Sequence, residues 1–170
     1  MTTELAIGFL KAQVEALGDG VEGILVLDDI AGFIGREHYQ KFAHPFLKRI
    51  CDAFPKDWVK VFHNDASVTA CIDLIPDAGF DALNWGLDLS VTQARERLGG
   101  RMSLMGNVPP LDLGVRGKPD DVYAAARDCM EKAGDDPFIL SLGGATTTGT
   151  RPENVQAMAR AMNDFNRSRK

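Results

Sequence analysis

The sequence predicts an α/β protein in which parallel strands alternate with helices along a single domain, residues 1–170. Three observations support this prediction. Short apolar runs of strand length recur along the chain, each run ends in a polar or glycine-containing loop, and helix-like patterns separate one run from the next. The spacing between the runs suits the right-handed crossovers that join parallel strands.

The first three elements are a helix, a strand and a longer helix. Residues 2–17 carry an approximately helical apolar pattern, which a Gly-Asp-Gly sequence then ends. The continuous apolar run 23–27 is typical of a strand buried on both faces of a parallel sheet. Residues 37–54 form a helical pattern that Pro45 is expected to kink or split.

The second and third strands follow. A β-type run at 59–62 predicts the second strand, and apolar residues on one side of 67–76 predict a helix after it. The run 81–85 predicts the third strand, which ends at a Gly-Leu-Asp sequence.

The remaining elements repeat the same order. Helix 90–98 begins with a serine N-cap and ends before two glycines, and strand 102–105 leads into a glycine- and proline-containing loop. A proline suited to a first helical turn opens helix 119–133, and the apolar run 138–142 is the fifth strand. The last helix spans 151–165. We therefore expect five strands and six helices.

This pattern leaves two topologies open. A complete (β/α)8 barrel takes about 250 residues, so five strands would form a partial barrel, whereas an open doubly wound sheet would be complete at this length. No G-x-G-x-x-G sequence follows the first strand, and the chain contains no Walker sequence. Nucleotide binding therefore lacks its usual sequence support.

Composition and charge exclude several classes of protein. With 45% hydrophobic and 25% charged residues the chain is typical of a globular domain, and its net charge of -5 with scattered basic residues argues against a nucleic-acid partner. Cys51, Cys71 and Cys129 are odd in number and widely spaced, which indicates reduced thiols, and we expect Cys71 and Cys129 to be buried in helices. Without a membrane-length apolar run or a basic leader, we expect a cytoplasmic protein with no membrane partner.

Polar side chains collect at the predicted strand ends, where a rigid strand can present a side chain beside an open loop. His63 and Asp65 follow the second strand, two residues apart, and are the candidate catalytic pair; they are also candidate ligands for a metal. Asp28, Asp29 and Asp88 stand at other strand ends as candidate substrate-binding residues, with capping of backbone amides as the alternative.

The loops contain four short motifs. They read LDDIAGF at 27–33, HND at 63–65, GNVPP at 106–110, and LGGA at 142–145 followed by RPEN at 151–154. In this order they resemble the C-terminal half of the uroporphyrinogen decarboxylase superfamily, and the resemblance covers nearly the whole chain. It implies a partial TIM barrel, in which this chain supplies about five of the eight βα units.

The resemblance also favours one branch of that superfamily. In the decarboxylases, substrate-handling arginine and aspartate residues lie in the N-terminal half, and a histidine stands in the last glycine loop where this chain has Gly144. In thiol-directed methyltransferases an H-x-C pair and a later cysteine hold zinc, at positions that match His63, Asp65 and Gly144, so we do not expect zinc here. The H-N-D and G-G combination is most similar to methyltransferases that pass a methyl group from a small methylated donor to a corrinoid protein.

The implied reaction assigns roles to the polar residues. Removing a methyl group from a methyl ether or methylamine needs a proton for the leaving group, which His63 or Asp65 could supply. Asn84 and Asn107 could orient the donor, and Gly143 and Gly144 complete the candidate substrate-binding set, with close backbone packing as their alternative. The corrinoid (cobalamin) would be carried by a partner protein that docks at the open end of the barrel.

Two other functions and two assemblies stay open. The chain could be part of a decarboxylase-type lyase, or a noncatalytic binding or assembly module of the same fold. Five units of a barrel leave two strand edges and apolar core residues open to water. We therefore expect the chain to form a homo-oligomer or to bind an N-terminal half-barrel partner.

Overall fold

The computed structural model describes residues 2–169, and its strands form one parallel sheet. Each strand pairs with the next one in the sequence, in the order β1-β2-β3-β4-β5. A doubly wound sheet would instead reverse its strand order at a switch point. The sequential order therefore confirms the partial TIM barrel and removes the doubly wound alternative. The strands are β1 Gly23–Leu27, β2 Val59–Asn64, β3 Ala82–Trp85, β4 Ser103–Val108 and β5 Phe138–Leu142.

Across residues 2–169, six α-helices accompany the sheet, and one buried apolar cluster joins them to it. Side chains such as Phe62 and Leu83 from the strands and Ala94 and Val122 from the helices are fully buried in this cluster. Within residues 2–169, no helix combines the length and the apolar character needed to cross a membrane. The helices are α1 Thr2–Leu17, α2 Arg36–Phe42, α3 His44–Asp52, α4 Val91–Leu98, α5 Pro119–Ala133 and α6 Pro152–Ser168.

Strand β1 is buried on one face only, contrary to the prediction from its continuous apolar run. Ile24 and Val26 lie in the core, whereas Leu25 and Leu27 are 49% and 67% exposed. Side chains alternate between the two faces of a strand, so the exposed pair lies on the face opposite the helices. In a barrel that face is filled by side chains from all eight strands, and five strands fill only part of it.

The helical region 37–54 is split, as Pro45 suggested. α2 ends before Ala43, and Pro45 lies in the first turn of α3, where a missing amide hydrogen leaves no helical hydrogen bond unmade. Strands β2 and β4 each extend beyond the predicted ends. His63 and Asn107 therefore lie within strands, which fixes their directions more firmly than a loop would.

The predicted helix at 67–76 was wrong. The chain instead forms two short 3-10 turns, Ile72–Leu74 and Pro76–Ala78, so Cys71 is buried in a turn, while Cys129 lies in α5 as expected. Arg97 and Arg36 donate hydrogen bonds to the carbonyl groups of Thr69 and Ala70. These long-range donors occupy carbonyl oxygens that an α-helix would have used itself.

One residue from each strand forms a continuous row across the face of the sheet opposite the helices. The ends of this row are open, because Leu27 is 67% and Ile139 is 50% exposed, whereas the central Asn84 is only 3% exposed. This face of the sheet, the inner face, is therefore buried in the middle and exposed to solvent at both edges. In register, the row reads Leu27, His63, Asn84, Met105 and Ile139.

Candidate functional site

His63 and Asn84 form the centre of the site, side by side on β2 and β3. The Nδ1 atom of His63 lies 2.6 Å from the Oδ1 atom of Asn84, and the Asn84 amide nitrogen donates to the carbonyl of Met105 at 2.7 Å. Because the amide nitrogen is committed to Met105, the Asn84 oxygen faces the histidine and can only accept. His63 Nδ1 therefore carries a hydrogen, and Nε2 is the nitrogen that gains or loses a proton. Asn84 thus orients His63 with its oxygen and is itself held by Met105.

Asp65 faces the free nitrogen of this histidine. Its Oδ2 atom lies 3.4 Å from His63 Nε2, and its side chain is 46% exposed against 12% for His63. The backbone amide of Asp65 donates to the Asp29 carboxylate at 2.7 Å, which fixes the start of the loop. A proton on Nε2 would therefore lie between a partly buried imidazole and a solvent-accessible carboxylate.

Gly144 lies directly against the Asp65 carboxylate. A Cβ atom built on Gly144 would overlap Asp65 Oδ1 and would lie 2.7 Å from Asp65 Cγ. Gly144 also has a φ of +77°, a conformation that a residue with a side chain rarely adopts. Positions 63, 65 and 144 therefore converge, and the carboxylate of Asp65 occupies the space that a side chain at position 144 would need.

A cavity of about 450 Å³ opens beside Asp65, between the loops that follow β2, β3, β4 and β5. This volume lies within the range of about 300–1,000 Å³ that small-molecule sites occupy. Among the lining residues only Asp65 is charged, and the others are glycine, apolar residues or threonine. They are Asp65, Gly86, Leu87, Pro110, Gly143, Ala145, Thr146 and Thr147.

Three other predicted site residues hold the loops in place. Asp28 accepts a hydrogen bond from the amide of Ala31, and one oxygen of Asp88 accepts four hydrogen bonds from the segment 67–69. The side-chain nitrogen of Asn107 donates to the carbonyl of Gly86 at 2.6 Å. Of the predicted substrate-binding glycines, Gly143 lines the cavity and Gly144 contacts Asp65.

The side chains present do not fit a zinc ion. Residues 2–169 contain no group of three or more histidine, cysteine, aspartate or glutamate side chains placed to hold a metal, and the site offers only His63 and Asp65. A catalytic zinc takes three ligands from the protein. All three cysteines are free and buried, and burial raises the pKa of the Cys51 and Cys71 thiols to about 12. These two remain protonated at neutral pH, although zinc binds the thiolate form.

Sequence reasoning missed several residues that line the cavity. Leu87 and Pro110 are apolar loop residues, a type usually assigned to packing, and Thr146 and Thr147 follow the glycine pair without forming a known motif. Their positions in the chain could have identified them, because each of these residues follows the end of a strand. Leu87 is 52% exposed where it lines the cavity.

Comparisons with known proteins show the family and the fold of the chain. The model of the uroporphyrinogen decarboxylase (URO-D) family matches residues 1–165. Uroporphyrinogen decarboxylase of Methylococcus capsulatus is 28% identical over 161 residues, which are 92% of this chain and 45% of that protein. The enzyme of Anaeromyxobacter dehalogenans is 30% identical over 165 residues, which are 96% of this chain and 46% of that protein.

A solved structure shows the same fold. The methyltransferase from Methanosarcina mazei superposes with a TM-score of 0.79 at 27% identity, over 96% of this chain and 47% of that one. The chain thus spans about half the length of the relatives that it matches.

Proposed function

The chain belongs to the uroporphyrinogen decarboxylase (URO-D) family, and from that premise we propose that it carries the catalytic half-barrel of a methyltransferase. The reaction moves a methyl group from a small methylated donor, a methyl ether or methylamine, to a corrinoid protein. One observation carries the proposal: His63 has Nδ1 fixed by Asn84 and presents Nε2 to Asp65 beside a small cavity. The similarity to the Methanosarcina mazei methyltransferase supports the same reaction class.

The tautomer of His63 determines which of its nitrogen atoms donates the proton. For an ether donor the bond between oxygen and the methyl carbon breaks, and the leaving oxygen takes the proton from His63 Nε2 to become an alcohol. The hydrogen on Nδ1 stays on His63 and keeps its hydrogen bond to the Asn84 oxygen, and the Asp65 carboxylate, 3.4 Å from Nε2, stabilises the protonated ring before transfer. The corrinoid on its carrier protein would supply the reduced cobalt that accepts the methyl group.

The cavity fits a small donor. Leu87 and Pro110 offer apolar surface for a methyl group or an alkyl chain, while the hydroxyl groups of Thr146 and Thr147 and the carboxylate of Asp65 offer hydrogen bonds. A few polar groups within a largely apolar lining are typical of sites that orient small ligands.

The carrier protein would dock at the same end of the barrel. Four large apolar side chains are exposed on the loops that follow β1, β3 and β4: Ile30, Phe33, Leu87 and Leu111. Leu87 lines the cavity beside Asp65. Exposed apolar side chains that follow strand ends support docking of a partner at that end of the barrel.

The experiment is a methyl-transfer assay with a methyl ether or methylamine and a reduced corrinoid protein, read from the change in corrinoid absorption. The chain is assayed with and without an N-terminal half-barrel supplied in trans. We expect His63→Gln to slow transfer by about 10²–10⁴-fold, the usual contribution of a positioned acid. The matched control is His38→Gln, because His38 is exposed on α2, and its rate should not change. No transfer by the wild type, or an unaffected His63→Gln variant, would contradict the proposal.

A decarboxylase-type lyase is the second candidate, because the 28–30% identical relatives are uroporphyrinogen decarboxylases. Uroporphyrinogen is a polycarboxylate, and a site for it would be expected to carry basic side chains. The lining of the cavity beside Asp65 has none, so in a lyase these side chains would have to come from the N-terminal half of the barrel. Release of CO2 from uroporphyrinogen would establish the lyase instead, and a noncatalytic module would show neither activity.

A further inference from the structure

The segment that joins β4 to α5 contains a π-helical turn, Pro110–Val115. The amides of Gly114 and Arg116 donate to the carbonyls five residues earlier, at 3.1 and 3.2 Å. Turns of this kind are rare and recur at functional sites. Pro110, the first residue of the turn, lines the cavity beside Asp65, so the turn forms part of the cavity wall.

Asn154, in the first turn of α6, holds the π-helical turn from outside. Its side chain is buried, and its amide nitrogen lies 3.0 Å from each of the carbonyl oxygens of Leu113, Gly114 and Gly117. The two amide hydrogens are therefore shared among three acceptors. Within residues 2–169 the Oδ1 atom of Asn154 has no hydrogen-bond partner, so the contacts of the nitrogen determine how this side chain is oriented.

The contacts of Asn154 reach the cavity wall through the backbone of Gly114. The Gly114 carbonyl accepts a hydrogen bond from Asn154, and the Gly114 amide donates to the carbonyl of Pro109, directly before Pro110. A displacement of Gly114 would therefore also displace the start of the turn and the Pro110 ring in the cavity wall.

The residues just before Asn154 hold a second part of the wall. The amide of Arg151 donates to the carbonyl of Gly114 at 3.1 Å. The amide and the hydroxyl of Thr150 both donate to the carbonyl of Thr147, at 2.9 and 2.6 Å, and Thr147 lines the cavity. The start of α6 therefore joins the loop after β4 to the loop after β5.

We propose that Asn154 is a positioning residue, which sets the shape of the cavity beside Asp65 by fixing the turn Pro110–Val115 against the start of α6. Asn154 does not itself line the cavity, so it acts through the two loops. The inference rests on the proposed function in one respect, namely that this cavity binds the methyl donor.

Replacing Asn154 by alanine should weaken binding of the donor and leave the acid intact. Each of the three carbonyls also accepts from a second donor, on Gly117 or Arg151, so the variant should fold. His63 and Asn84 lie on β2 and β3, outside the two loops. In the methyl-transfer assay we expect the KM for the donor to rise by about 5–10-fold, the scale of one lost hydrogen bond, while kcat stays within about two-fold.

Amide hydrogen exchange, followed by NMR, tests the same contacts without turnover. In Asn154→Ala the amides of Gly114 and Thr150 should exchange at least about ten-fold faster, whereas the amides of β3 should keep their rates. This measurement separates the two proposals. A wild type that transfers no methyl group contradicts the proposed function, and the exchange rates then decide whether Asn154 fixes the cavity wall.

Asn163→Ala is the matched control, because it makes the same change at an exposed position of α6 and should alter neither KM nor exchange. An unchanged KM in a folded Asn154→Ala variant would overturn the proposal, and so would unchanged exchange at Gly114 and Thr150. A lower kcat with an unchanged KM would also overturn it, because a smaller folded fraction gives that result.

Circular dichroism checks that Asn154→Ala is folded. If it is not, Arg151→Gln decides, because this variant removes only the guanidinium contacts, which include the hydrogen bond to the Gly117 carbonyl at 3.2 Å. A raised KM with an unchanged kcat in Arg151→Gln would then support the proposal, and an unchanged KM would overturn it.

Discussion

At the scale of single residues, the chemistry of His63 depends on a hydrogen bond from outside its own strand. Asn84 accepts the Nδ1 hydrogen because its own amide nitrogen is held by the carbonyl of Met105 on the next strand. Three neighbouring strands thus determine which histidine nitrogen faces Asp65. The register of β2, β3 and β4 is therefore part of the proposed catalytic arrangement.

Replacing Asn84 by leucine removes the acceptor and should let the imidazole rotate or exchange tautomers. We expect methyl transfer to fall by about 10²-fold, the usual effect of misplacing a catalytic group by about 1 Å. Nitrogen NMR of His63 should show that Nδ1 is no longer the uniformly protonated nitrogen. Asn84→Asp retains an acceptor oxygen and should keep the tautomer. A leucine variant with an unchanged His63 spectrum would argue against this role.

A side chain at position 144 would overlap the Asp65 carboxylate, and this leads to a second prediction, which concerns zinc binding. The wild type should retain no stoichiometric zinc, because its site offers two ligands. Asp65→Cys combined with Gly144→Cys should gather two thiols beside His63, the three ligands of a catalytic zinc site, at a backbone strain of about 1–3 kcal/mol at position 144.

Elemental analysis should find about one zinc per chain in this double variant. Adding His63→Ala should remove the zinc, and Gly144→Cys alone should not bind it, because Asp65 occupies the space. Tight zinc in the wild type that His63→Ala abolishes would show instead that the carboxylate serves as a ligand.

Sequence reasoning selected His63 and Asp65 but not the contacts that they make. Both were selected because they follow the end of a predicted strand, where a rigid strand presents side chains beside an open loop. The proximity of Asn84 required the register between two strands, which no local pattern contains. The contact between Asp65 and Gly144 joins loops that are nearly eighty residues apart, so motif spacing alone could not reveal it.

At the scale of elements, the segment between β2 and β3 shows tertiary contacts overriding a local pattern. Its apolar residues recur as in a helix, yet Asp88 accepts hydrogen bonds from the amides of Val68 and Thr69. Arg36 and Arg97 both bind the Asp73 carboxylate, and each also binds a backbone carbonyl of the segment. These partners lie 19–37 residues away in sequence, so periodicity could not indicate them.

Asp73 makes this segment sensitive to acid. Hydrogen bonds from Arg36, with a further one from Arg97, lower the pKa of Asp73 from its ordinary 3.8 to about 2. A carboxyl group with a lowered pKa in the folded state stabilises the fold above its ordinary pKa, and this contribution is lost as pH falls toward about 2.

We therefore expect the free energy of unfolding to drop by about 1 kcal/mol more in the wild type than in Asp73→Asn between pH 5 and pH 2, after allowance for solvent screening. Urea unfolding at both pH values measures the difference. Asp112→Asn is the control, because the Asp112 and Arg116 pair is exposed. Equal pH dependence in Asp73→Asn and the wild type would show that the carboxylate contributes no acid sensitivity.

At the scale of the whole molecule, five strands were predictable because apolar runs and strand ends are local features. The apolar run of β1 was misread as buried on both faces, since its inner face borders a surface that residues 2–169 do not cover. The apolar sequence of β1 suits a strand with both faces buried, as in a complete barrel. Its exposure in this chain reflects how many strands are present rather than any local property.

The central strand is paired on both sides and the edge strands on one side only. This difference should be visible in amide hydrogen exchange of the isolated chain at low concentration. β3 is paired on both sides and its four residues are buried, whereas β1 and β5 are each paired on one side. Amides that open only through larger unfolding exchange slowest, so we expect β3 to exchange at least about ten-fold more slowly than β1 and β5. Amides of α5, which packs on β4 and on α6, serve as an internal reference for opening of the whole fold.

Equal protection of β1 and β3 would mean that the β1 edge is already covered in solution. Protection should then be lost on dilution if a second copy of the chain covers that edge.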